Sequence, residues 1–171
     1  MLTKRVMIKK VQEKINNFLG NHLSHLLACA WLSDFKVTFK SSKDASEAEL
    51  KDFTGTKSAY MTNDVDYEYL TSHITYNKDK LLQDFLEKKF SNIIDILSHE
   101  IAHIVTGEAF DKLNIKYTGD GRFYQERLTE RVGRYIYRLY MFDYVTDNKI
   151  NIQTGKPYAK QKKRQTKKKN K

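Results

Sequence analysis

Cysteine, proline and tryptophan each occur once in the 171 residues. A single thiol, Cys29, excludes an internal disulfide and has no second thiol at metal-ligand spacing, so it reads as a core residue. No apolar run approaches the roughly 20 residues of a membrane-spanning helix, which excludes an integral membrane protein of that type. The N-terminal stretch MLTKRVMIKKVQEKI spreads its basic residues through an amphipathic pattern. A secretory signal would place a basic cap before an apolar block, so a cytoplasmic location is expected. Histidine is absent after His103, which leaves only Asp or Glu to complete any metal site from the later chain.

Charge is abundant but unevenly placed. The formal net charge is +10, yet nine of the 31 Lys and Arg residues fall between Lys156 and Lys171, where there is no acid. The remainder is nearly balanced. Length suits one domain with a sizeable core, expected over 1–148, followed by a basic, disordered tail over 149–171. The tail over 156–171 has almost nothing to bury. It is either a solubilising extension or a contact for nucleic acid or another acidic surface.

The chain is organised around SNIIDILSHEIAHIVTG, residues 91–107. His99 and His103 are four apart, so on a helix they lie one turn above one another and can grip one metal ion from one face. Ile93, Ile94, Leu97, Ile101, Ile104 and Val105 surround them, and two histidines in so apolar a helix would be costly without partners. Zinc requires neutral imidazole nitrogens at about 2.0–2.1 Å, a third ligand and an open position for water. Glu100, beside the histidines, then suits the role of general base and acid. Gly107 reads as the helix stop.

Along the chain, Thr3 to about Trp31 reads as one long amphipathic helix, or two joined near Gly20. His22 and His25 within it read as part of a packed or solvated helix face. Phe35–Phe39 alternates as a first strand, and Lys57–Thr62 is a candidate second. Residues 41–56 read as a connection, with SEAEL as a possible short helix. Tyr67–Tyr76 is a stronger strand with Leu70, Ile74 and Tyr76 on one face, and is the candidate sheet edge that would hold an extended peptide. Asp79 caps a helix through Leu81, Leu82, Phe85 and Leu86. After a loop ending in GDG, Phe123–Phe142 is expected to be a helix. Its apolar stripe is Leu128, Val132, Tyr135, Ile136 and Leu139, and its exposed basic one is Arg127, Arg131, Arg134 and Arg138.

Two acids on that last helix compete for the third ligand position. Glu126 lies nearer the buried arc, beside the small residues Thr129 and Gly133, which would allow close approach to the HEIAH helix. Glu130, one turn on, could hydrogen-bond a ligand histidine from behind. Glu126 is favoured and Glu130 is the alternative; either would otherwise pair with a neighbouring arginine.

HEIAH followed by a glutamate on a later helix resembles the gluzincin zinc metallopeptidases, especially small cores such as the ImmA/IrrE group, over roughly Tyr67–Leu139. The resemblance implies an α+β, zincin-like core: a small mixed or antiparallel sheet packed on an N-terminal helix, the HEIAH helix and a ligand helix. It also implies one zinc ion on His99, His103 and a glutamate, with Glu100 as catalytic base in peptide bond hydrolysis. Thermolysin-like members carry an aspartate four residues after the ligand glutamate, where this chain has Glu130. The order of elements and the basic tail are more distantly similar to SprT-like proteases, whose third ligand is a later histidine that this chain lacks.

The expected function is therefore a zinc-dependent metallopeptidase acting on a protein or peptide. His73, Tyr124 and Tyr137 are candidate donors to the oxyanion. The alternative is a nucleic-acid-associated or regulatory binding module with a structural or vestigial metal site, motivated by the tail.

Overall fold

The computed structural model describes residues 4–42, 60–115, 119–147 and 149–158. Over these the chain is α+β, with four α-helices and a small mixed three-stranded sheet. Helix α1 (Lys4–Cys29) is continuous. Its buried residues Ile15, Phe18, Leu19, His22 and Leu26 keep three- and four-residue spacing and so form one stripe. Gly20 sits on the exposed side, and the chain does not break there.

Strands β1 (Lys36–Ser41), β2 (Met61–Asp66) and β3 (Thr71–Tyr76) are ordered β1-β3-β2. β1 runs parallel to β3, with Phe39 opposite Ile74, and β2 runs antiparallel to it, with Asn63 opposite Ile74. The strand expected over Tyr67–Tyr76 starts only at Thr71. Asp66 Oδ1 accepts the amides of Glu68 and Tyr69 at 3.0 and 3.1 Å, and Leu70 turns at φ 50°, closing a tight hairpin. Leu70 is consequently exposed, away from the face that carries Ile74 and Tyr76.

The edge role expected of this strand is also corrected, because β3 is central and paired on both sides. Its β-branched and aromatic residues suit a strand paired along both edges. β2 is the edge that packs on the HEIAH helix. The second strand lies over Met61–Asp66 where Lys57–Thr62 was expected; residues 57–59, and the SEAEL segment, fall outside the described residues.

Helix α2 (Lys78–Leu86) is capped by Asn77, not Asp79: the Asn77 side chain accepts from the amides of Asp79 and Lys80, each at 3.2 Å. Asp79 sits in the first turn, where its charge favours the helix dipole. Helix α3 (Phe90–Lys112) carries HEIAH and runs straight through Gly107. That glycine does not stop the helix; a Cβ on it would collide with the Tyr67 phenol. α3 is buried on nearly every side, against α1, α2, β2 and above all α4 (Asp120–Tyr140).

The inward face of α4 is Gln125, Thr129, Gly133, Ile136 and Tyr140. Leu128 and Tyr135, expected in its apolar stripe, are instead 41% and 62% exposed. Hydropathy misplaced the stripe because close helix contact here uses small and polar residues. A π-helical turn, Met141–Thr146, follows.

The boundary expected after residue 148 also moves. Ile150 is buried and bridges to Pro157, Gly155 lies against Asn21 and His22, and Asn21 Nδ2 donates to the Thr154 carbonyl at 2.8 Å. Residues 149–158 thus pack on the body. Residues 159–171, most of the expected tail, lie outside the described residues.

Candidate metal centre

Helical spacing stacks His99 and His103 on one side of α3, their rings perpendicular with centroids 4.9 Å apart. Among the described residues, His99, Glu100 and His103 each bring one potential ligand atom to within 4.8 Å of the others, a group that could hold a metal ion. Across from them, α4 presents Glu126. Its Oε2 lies 3.8 Å from His99 Nε2 and 3.9 Å from His103 Nε2. One carboxylate oxygen therefore faces the same nitrogen of both rings.

The donor set and spacing fit a tetrahedral ion. Bonds of about 2.0–2.1 Å put neighbouring ligand atoms about 3.3 Å apart, so a contraction of about half an ångström would bring the Glu126 oxygen to ligand spacing from each histidine nitrogen. Burial holds His103 below the usual imidazole range, opposed by the Glu126 carboxylate. The ring is thereby kept neutral near pH 7, as a metal ligand must be. His99 and Glu100 are buried, whereas the side chains of His103 and Glu126 are 19% and 40% exposed, so the centre is open on one side.

Glu130 meets the other nitrogen of His99: its Oε2 is 3.3 Å from Nδ1. Its second oxygen accepts from Arg134 Nε at 2.9 Å. Glu130 therefore links His99 to the arginine stripe and stands behind the ring. The approach is an ion-pair contact rather than a formed hydrogen bond; closed to one, it would orient the imidazole and fix which nitrogen is free to bind.

Two contacts hold the two helices in this relation, and a third ties α3 to the hairpin. A Cβ on Gly133 would stand 2.9 Å from His99 Cα, so only glycine lets the α4 backbone lie this close. Thr129 and Thr106 share a buried hydroxyl contact of 2.7 Å. Tyr67 donates to the His103 carbonyl at 3.3 Å, and burial together with Glu108 and Asp111 pushes its phenol up to about 12.

From the sheet, Asn63 Nδ2 donates to the Glu100 carbonyl at 2.8 Å, and Ser72 Oγ donates to Asn63 Oδ1 at 2.6 Å. Sequence reading missed Tyr67 and Asn63. Their only signal is β-register, which depends on a hairpin turn not assigned in advance.

The candidate oxyanion donors are not gathered here. His73 is exposed and shares a 2.6 Å contact with Thr38, Tyr124 is 61% exposed, and Tyr137 lines a separate cleft with Ser91, Asn92, Asp95, Arg134 and Arg138. His22 is buried in the core beside Tyr140, remote from α3's histidines in role and partners. No protein-family model matches this chain, and no curated protein or solved structure matches it either.

Proposed function

We propose that this chain is a zinc-dependent metallopeptidase of zincin-like type, with His99, His103 and Glu126 as ligands. The observation that carries this reading is the single Glu126 oxygen facing Nε2 of both histidines, with Glu100 in the same cluster. Zinc bound there would polarise a carbonyl and bring the pKa of water to about 7. Glu100 would take a proton from the attacking water as its oxygen forms the new C–O bond to the peptide carbonyl, and would pass that proton to the amine as the C–N bond breaks. Glu130, closing on Nδ1 from 3.3 Å, would favour the His99 tautomer that leaves Nε2 free.

Openness favours catalysis over a structural site. Structural zinc is enclosed by four protein ligands, whereas catalytic zinc keeps a free position, and Glu126 and His103 are both partly exposed. The rival reading, a binding module with a structural metal, leaves Glu100 without a task.

The test is zinc stoichiometry and hydrolysis of a quenched-fluorescent peptide library by the full chain and two variants. Glu100→Gln should keep one zinc per chain and lose hydrolysis by about 10²-fold or more. His103→Ala should lose both. Full hydrolysis by Glu100→Gln would overturn the mechanism, and failure of the parent chain to take up zinc would overturn the function.

A further inference from the structure

The solvent face of α4 carries a second pattern that the metal centre does not use. At 100° per residue, Phe123, Tyr124, Arg127, Leu128, Arg131, Arg134, Tyr135 and Arg138 fall within an arc of about 140°. Phe123, Tyr124 and Tyr135 are each more than 60% exposed. The acids of this helix with described side chains, Glu126 and Glu130, turn to the histidines. Arg134 is tied to Glu130, while Arg127, Arg131 and Arg138 have no ion pair among the described residues. Asp95 shares with Arg134 and Arg138 the lining of a cleft of about 440 Å³.

We propose that this face binds single-stranded nucleic acid, with Arg127, Arg131 and Arg138 on its phosphates and Tyr124 and Tyr135 against its bases. Uncompensated arginines call for a polyanion, and exposed aromatic rings between them call for flat, apolar partners. Unpaired bases offer both at once, whereas a duplex hides its base faces. The stripe from Phe123 to Arg138 is about 22 Å long, enough for a few nucleotides. A second copy of this chain in a two-fold pairing would set arginine against arginine, which opposes that occupant. The inference is independent of peptidase activity.

Fluorescence anisotropy of a labelled oligothymidylate of about 15 nucleotides, titrated with the full chain, tests it. Affinity should fall about 20-fold between about 50 and 200 mM salt, as three phosphate contacts on a single strand require. Arg127→Gln/Arg131→Gln/Arg138→Gln should weaken binding about tenfold or more, and Tyr124→Ser/Tyr135→Ser by a similar factor, with zinc content and unfolding curve unchanged. Undiminished binding by both variants would assign it elsewhere, including the basic residues after Tyr158, and overturn the proposal. So would equal competition by duplex DNA or by polyglutamate, or self-association that Tyr135→Ser abolishes in a chain that binds no oligonucleotide.

Discussion

Gly133 lies against the backbone of His99, with 2.9 Å between His99 Cα and the place a Cβ on residue 133 would occupy. The obstacle is main chain, which cannot rotate aside. Gly133→Ala should therefore push α4 from α3, despite the roughly 1 kcal/mol that alanine ordinarily contributes over glycine in a helix. Overpacking of this kind costs about 1–3 kcal/mol, and displacing Glu126 should weaken zinc as well. Urea unfolding and zinc competition on one preparation would check both; a stabilised variant with full zinc affinity would show that the contact does not matter.

The two glutamates of α4 should separate by the size of their effect. Glu126 faces both Nε2 atoms, so Glu126→Gln should nearly abolish tight zinc binding. Glu130 touches only the far nitrogen of His99, and Glu130→Gln should lower affinity by about 10–100-fold while keeping one zinc per chain. Chelator competition reads the difference directly. Equal losses, or a larger one at Glu130, would reverse the assignment.

Asn63 ties the sheet to the main chain of Glu100. Its amide donates to the Glu100 carbonyl and accepts from buried Ser72, so Asn63→Ala strands the serine hydroxyl. A loss of about 1–3 kcal/mol in stability is expected. Turnover should fall more than zinc affinity, since both histidines keep their opposing glutamates. Thermal unfolding together with kcat and zinc titration would show whether the effects divide in this way.

The helix carrying HEIAH is legible because two strong signals coincide there: an apolar sequence on nearly all sides and two histidines one turn apart. The preference for Glu126 over Glu130 followed from small residues at 129 and 133, and both of those do form the close helix contact. What could not be read depended on turns and on side chains that serve packing. Asp66 closes a hairpin through its carboxylate, and that one turn decides where β3 begins. Gly107 and Gly133 look alike in sequence, as glycines in helices. One lies under a phenol and the other under a backbone, so neither acts as punctuation. Leu128 and Tyr135 were assigned to the core by hydropathy, but the core side of α4 is held by threonine and glycine, leaving the larger residues in solvent.

His22 should make the fold acid-sensitive independently of the metal. Its ring is fully buried, with Nδ1 2.5 Å from the Tyr140 hydroxyl and Phe18 at 4.4 Å between centroids. Burial lowers its pKa from 6.5 to about 4, with His25 adding to the shift and the Ile152 backbone opposing it. Nε2 has no well-formed hydrogen bond. The folded state thus prefers the neutral ring, and the unfolded chain binds the extra proton between pH 4 and 6.5. Stability from this group is complete above pH 6.5, declines as pH falls below that value, and is lost by about pH 4, a change of about 3 kcal/mol. Urea unfolding across that range, compared with His22→Gln, isolates it from the carboxylates. The variant should show a flatter profile between pH 6.5 and 4 whatever its baseline stability. Parallel profiles would mean that the ring is already protonated in the fold, and that Tyr140 and the Lys149–Tyr158 segment accommodate the charge.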